Sequence, residues 1–157
     1  MAAGTPATTL LAQQKVVHTL HPYDHDPRAE GYGEQAAAAL GVSSERLFKT
    51  LVAKVDGKLV CAVVPVSGHL DLKALARAVS GKRAAMADPT AAQRATGYVL
   101  GGISPLGQRS RLPVVVDASA EEFETIFVSA GRRGLQVELM PADLLRLTSA
   151  RTAPIAG

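Results

Sequence analysis

Lys49 opens the segment KTLVAKV, where strand alternation groups it with Leu51, Ala53 and Val55 and leaves Thr50, Val52 and Lys54 on the other face. An ammonium on the apolar face is costly unless it reaches an anion across a cleft, or its stem carries the charge out to water. The pattern accommodates both readings. The loop Gly97–Gly107 carries four glycines (Gly97, Gly101, Gly102, Gly107) and Pro105. Such a backbone can approach a ligand closely and aim N–H groups at an oxygen, or it can simply turn. Arg94, Arg109 and Arg111 flank it and add capacity for phosphate.

Other constellations carry less. Gly31, Gly33 and Ala36 spell a partial dinucleotide fingerprint, but polar DHDPRAE stands where that motif needs a buried strand. His18, His21 and His25 lie beside Asp24 and Asp26. Pro22 opposes a helix there, a strand sends His18 and His21 to opposite faces, and the spacing fits no recognised metal set. Surface histidines are the expectation. Cys61, within LVCAVV, reads as a small buried apolar group with a raised pKa, and no GxSxG elbow exists. The residues offer no convincing covalent nucleophile, and no metal or organic cofactor is expected.

The length of 157 residues gives one domain, 1–157, as the expectation. Hydrophobic residues at 47% and charged ones at 20% exclude a disordered chain, and the apolar runs are too short to span a membrane. The first residues lack a basic start and an apolar core, so no signal peptide is expected. One cysteine excludes internal disulfides and four-cysteine zinc sites. A reducing cytoplasm is the expected location. The net charge of +3 is uninformative, but its distribution is not: Lys73–Arg111 holds seven basic residues against Asp88 alone. A stretch of this kind suits a polyanion such as RNA, or is solvated surface.

Thr5 and Pro6 predict a helix to about Lys15, and Val16–Tyr23 a strand. An alanine-rich helix is predicted from about Gly33 to Leu40, stopped by Gly41. KTLVAKV and KLVCAVV flank Asp56-Gly57, the signature of a type I′ hairpin. Asp71 caps a helix with Leu72, Leu75, Ala76 and Val79 on one face; Asp88 and Pro89 open another that Gly97 closes. LPVVVD is apolar enough for a strand covered on both sides. Ser119 and Glu122 read as a capping box, Ile126–Ser129 and Leu135–Met140 as paired strands around AGRRG, and Pro141 as the start of a last helix. The expected class is α+β, with a mixed, largely antiparallel curved sheet flanked by helices.

LFKT around Lys49, MADPTAAQRATGYVLGGISPLGQ from Met86 to Gln108 and VSAGRRGLQVEL from Val128 to Leu139 resemble the YbaK/EbsC family. Those proteins are bacterial Cys-tRNA(Pro) deacylases, related to the editing domain inserted in bacterial prolyl-tRNA synthetases. The resemblance runs from Thr5 to about Leu147. It implies trans-editing: hydrolysis of the cysteinyl ester on tRNA(Pro), and on Cys-tRNA(Cys) as a further substrate, with the cysteinyl thiol attacking its own ester carbonyl. Proline lacks the thiol and is spared, a chemical test where size alone discriminates poorly.

The resemblance also implies roles. Lys49 and Gly101 match the catalytic positions, Lys49 holding the tRNA 3′ end and Gly101 offering backbone N–H groups to the carbonyl oxygen or ribose. Thr50 and Gly102 belong to the same substrate pocket, Tyr23 and Tyr32 line it and can stack on the terminal adenine, and Ser129 can bond the amine or thiol. Gln136 departs from the family pattern, which has an aspartate two residues before the glutamate of the last strand. The implied partners are the aminoacylated tRNA 3′ end and prolyl-tRNA synthetase, with a monomer or weak dimer as the expected state. Two alternatives stand beside this reading: a non-catalytic adaptor for tRNA ends or nucleotides, and editing of another mischarged tRNA such as Ala-tRNA(Pro).

Overall fold

The computed structural model describes residues 4–26 and 31–157. Part of the polar stretch DHDPRAEG, residues 27–30, lies outside them, as do residues 1–3 of the N-terminal segment. Helix α1 (Pro6–Gln13) begins where Thr5 accepts from the Thr8 amide and the Thr8 hydroxyl accepts from the Thr5 amide. It stops two residues before the predicted Lys15, which turns the chain with φ 55°. Strand β1 (His18–Pro22) follows, then α2 (Tyr32–Leu40), closed by left-handed Gly41. The hairpin is as expected. β2 (Phe48–Val55) pairs antiparallel with β3 (Lys58–Pro65), and both turn residues have positive φ, 48° at Asp56 and 85° at Gly57. Helices α3 (Leu72–Ala78) and α4 (Pro89–Thr96) are capped by Asp71 and Asp88, with β4 (Ala84–Met86) between them.

The strands divide between two sheets instead of one. β1 and β6 (Ile126–Arg132) flank β7 (Leu135–Leu139) in an antiparallel sheet. The second sheet runs β4-β2-β3-β5-β8, with β5 (Val114–Asp117) and β8 (Arg151–Ala153) joined in parallel to the hairpin. All four residues of β5 are buried. Val114 and Val116 face a core shared with Ile126, Val128, Leu135 and Val137 of the other sheet, while Val115 faces the α3 side with Ala62 and Leu75. The two sheets therefore pack face to face, with α1 and α5 (Pro141–Thr148) closing the shared core through Leu11 and Leu144. Helix α2 covers the outer face of the three-stranded sheet, where Ala36 and Ala37 meet Phe127.

One cap differs from expectation. The turn Ala118–Glu122 is a 3₁₀ turn capped by Asp117, which accepts from the Ser119 amide (3.2 Å) and hydroxyl (2.6 Å). The other Asp117 oxygen accepts from the amides of Ile155 and Ala156, at 2.9 and 3.0 Å. A buried carboxylate filled by four donors holds the chain's last residues to β5. Ser119 is thus a donor to the cap, and the predicted Ser119–Glu122 box does not form.

Candidate functional site

Where the two sheets meet, Leu47 just before β2 bridges to Phe127 of β6, and a cleft of about 380 Å³ opens beside them. Tyr32, Lys49, Thr50, Gly101, Ser129 and Gln136 all line it. They come from five parts of the fold. Tyr32 stands at the start of α2, Lys49 and Thr50 at the start of β2, and Gly101 in the glycine loop. Ser129 and Gln136 are cross-strand partners on β6 and β7. Leu51, Ala53 and Val55 pack together on the α3 side, as alternation predicts, and Lys49 ends that row half-buried at the cleft. Its ammonium makes no hydrogen bond or ion pair with any described residue.

Tyr23 and Gly102 do not line this cleft. Tyr23 packs beside Ala36, Leu47 and Phe127 under α2, with its amide bonded to Gly134 O. Gly102 is buried and presents its carbonyl to the Ser129 hydroxyl, 3.0 Å away. Ser129 also accepts from the Gly131 amide at 3.1 Å, so it ties the glycine loop to the irregularity that ends β6. Its proton is committed to Gly102. By contrast, Thr50 Oγ1 and Gln136 Oε1 are buried and bond to no described residue. An unpaired buried polar atom costs about 1–3 kcal/mol, and two at one cleft mark it as a place prepared for a polar ligand.

Arg133, which the sequence offered only as part of a turn, closes the rim. Its Nε donates to Leu100 O at 2.8 Å, and its guanidinium lies over the Tyr32 ring. Gly101 sits between these groups with φ +83°, and a Cβ there would come within 2.6 Å of Tyr32 and 2.8 Å of Arg133 Nε. Only glycine fits.

A polar network borders the cleft on the same outer face of the three-stranded sheet. His21 Nε2 and Glu138 Oε1 are 2.9 Å apart, Arg46 reaches Glu138 Oε2 at 3.1 Å, and Thr125 donates to that oxygen at 2.6 Å. Arg46 also bonds the Thr125 hydroxyl and carbonyl and covers the Phe127 ring at 5.1 Å. The Thr125 hydroxyl is the main reason Glu138 lies below the ordinary carboxylate range. Partial burial opposes it, and His21 and Arg46 reinforce it. His21 is therefore a network member, not the free surface histidine expected.

Cys61 is fully buried in the shared core, and burial pushes its thiol up to about 12. No cysteine or histidine lines the cleft. Among the described residues, no cluster of three histidine, cysteine or acidic side chains could hold a metal. The basic stretch Lys73–Arg111 splits in space. Arg109 and Arg111 line a separate cleft between α1 and the end of α5, whereas Lys73, Lys82 and Arg83 line a groove beside β4.

A two-sheet α+β fold with a polar cleft where the sheets meet is the frame of an aminoacyl-tRNA editing domain, and the chain belongs to that family. Residues 26–147 match the aminoacyl-tRNA editing domain. The chain is similar to EbsC of Enterococcus faecalis (strain ATCC 700802 / V583), a proposed Cys-tRNA(Pro)/Cys-tRNA(Cys) deacylase, with 41% identity over 124 residues covering 78% of this chain and 75% of that one. It is 32% identical over 143 residues to the multifunctional Ser/Thr-tRNA deacylase ProXp-y of Escherichia coli (strain K12), covering 88% and 83%. The fold matches that of a proposed trans-editing enzyme for prolyl-tRNA synthetase, with TM-score 0.84, 22% identity and 99% of each chain covered. No helix among the described residues is long and apolar enough to cross a membrane.

Proposed function

We propose that this chain is a trans-editing aminoacyl-tRNA deacylase whose substrate is Cys-tRNA(Pro), with Cys-tRNA(Cys) as a second substrate. The observation that carries the reading is Lys49, half-buried and ion-paired to no described residue, lining the same cleft as Gly101. Its ammonium holds a phosphate or ribose oxygen of the terminal nucleotide, and a Gly101 amide turns toward the ester carbonyl. Tyr32, braced by Arg133, offers ring surface to the terminal adenine.

Among the described residues the cleft holds one carboxylate, the exposed Glu34, and it bonds to neither Thr50 nor Ser129, so no nucleophile–base pair forms there. The Ser129 proton is held by Gly102, and the Cys61 thiol lies elsewhere in the core. This supports attack by the substrate's own sulfur. A C–S bond forms at the carbonyl carbon while the ester C–O bond breaks, and the thiol proton passes to the departing ribose hydroxyl. The cyclic thiolactone then hydrolyses to cysteine. The cysteinyl side chain supplies what the protein does not.

A second reading has its own support. Gln136 Oε1 is an unpaired acceptor that suits a substrate hydroxyl, and the ProXp-y relative is named for Ser- and Thr-tRNA. Deacylation of Cys-, Ser- and Ala-tRNA(Pro), with products identified by mass spectrometry, separates the readings. Thiolactone from Cys-tRNA(Pro), with Ala-tRNA(Pro) intact, is the expected result; release of serine or alanine at the cysteine rate overturns it. The working partner is prolyl-tRNA synthetase, since so small a chain reads little of a tRNA, and the setting is the cytoplasm. The chain acts as a monomer or weak dimer.

A further inference from the structure

At the far end of β2 from Lys49 lies the groove beside β4, about 650 Å³ in volume. Lys54, Lys73, Lys82 and Arg83 line it, all exposed. Its two carboxylates are occupied by backbone. Asp56 accepts from the Lys82 and Arg83 amides, both at 2.9 Å, and Asp88 caps α4 through the Ala91 amide at 3.2 Å. None of the four cationic side chains makes a hydrogen bond or ion pair with a described residue. The loop is anchored through its backbone amides, and Lys82 and Arg83 lend Asp56 favourable charge without closing an ion pair on it.

We propose that this groove grips the phosphate backbone of the tRNA's acceptor-stem duplex while the Lys49 cleft holds the single-stranded 3′ end. The inference rests on the tRNA-editing reading of the cleft. Lys49 and Lys54 are five residues apart on β2, a rise of about 17 Å along the strand; the odd spacing sets them on opposite faces, so the path from cleft to groove rounds the edge of the sheet where β4 pairs with the end of β2. That span is the scale of the few unpaired nucleotides between a tRNA's terminal adenosine and its first base pair. Phosphates of an RNA duplex are met by exposed lysine and arginine without sequence readout, which is what the groove presents. A protein partner fits less well. Lysine is depleted in the buried centres of protein interfaces, where aromatic anchors are enriched, and the groove has no aromatic residue.

The test is binding of uncharged tRNA(Pro) to Lys82→Glu and to Lys82→Glu/Arg83→Glu across a range of KCl concentrations, with Lys15→Glu as the charge-matched control for the single variant. The Asp56 bonds use backbone amides that the substitutions retain; the favourable charge of Lys82 and Arg83 toward Asp56 is lost, so circular dichroism and thermal melting check the fold of each variant. Expected are a loss of tRNA affinity of tenfold or more at low salt and a salt slope shallower by about one or more. Affinity for the trinucleotide CCA falls less than twofold, and Lys54→Ala/Lys73→Ala gives a smaller loss in the same direction. Unchanged affinity and slope overturn the proposal, and so does unchanged tRNA binding with loss of binding to prolyl-tRNA synthetase. Because the tRNA is uncharged, the result does not depend on turnover. A wild-type chain that binds with the predicted slope yet cleaves no ester refutes the deacylase reading alone.

Discussion

The Arg133 guanidinium lies 4.5 Å from the centroid of the Tyr32 ring, so the β6–β7 turn and the start of α2 brace each other across the glycine loop. A cation over an aromatic face contributes about 0.5–1 kcal/mol at an exposed site, enough to favour one arrangement of the rim. Arg133→Ala should loosen Tyr32 and free Leu100 O. The expected result is a higher KM for Cys-tRNA(Pro) with a smaller change in kcat; equal loss in both would mean that Arg133 touches the reacting ester.

Gly101→Ala tests the space between those two groups. The Cβ meets the Tyr32 ring at 2.6 Å and the backbone has φ +83°, so strain and collision add. Deacylation should fall at least tenfold, with a melting temperature lowered by several degrees. Full activity would remove Gly101 from the reaction.

Lys49→Ala should abolish most deacylation, by 100-fold or more, while leaving the fold intact because the side chain pairs with no described residue. Lys49→Arg should recover only part of the rate, since a planar guanidinium cannot place its charge where an ammonium does. Single-turnover rates on Cys-tRNA(Pro) measure both. Equal rates in all three proteins would refute the anchoring role.

Gln136→Asp restores the charge of the family pattern beside Ser129. If the cysteinyl ammonium is bound there, affinity for Cys-tRNA(Pro) rises and discrimination against uncharged tRNA improves. A carboxylate buried without a donor costs stability instead, so urea denaturation run alongside separates the two effects.

Glu138 gives a pH signature. Its carboxyl is held below its unfolded value near 4.5, so its contribution to stability is fully present above that pH and is lost as pH falls through the lower folded value. Glu138→Gln should flatten the acid limb of stability against pH. Urea midpoints between pH 3 and 6 for the two proteins measure this, and parallel curves would mean the network carries no net coupling.

Much of the fold was written locally. Asp56-Gly57 specifies its hairpin because both residues accept positive φ, and the caps at Thr5, Asp71 and Asp88 sit within three residues of the amides they serve. The division into two sheets was not legible, because β1 pairs with β7 across more than a hundred residues and no local pattern encodes that partner. For the same reason Arg46, Thr125 and Glu138 gave no signal, lying on three separate segments. Ser119-x-x-Glu122 misled because the capping spacing was right while the strand end at Asp117 took the cap first. At the cleft, Lys49 was legible as a charge on an apolar row. Tyr23 packs with Ala36, Leu47 and Phe127 beneath α2, a placement that its residue type alone does not specify.

Ser129 joins the glycine loop to the end of β6 through one hydroxyl, while Lys49 stands on a strand paired along its whole length. The site thus combines a stiff half with an adjustable one. Substitutions in the loop or the AGRRG turn therefore act on the rim around Gly101 and Tyr32 and leave Lys49 and its paired strand in place. A scaffold arranged this way can change one wall of its cleft by small steps while the opposite wall stays fixed by its strand pairing.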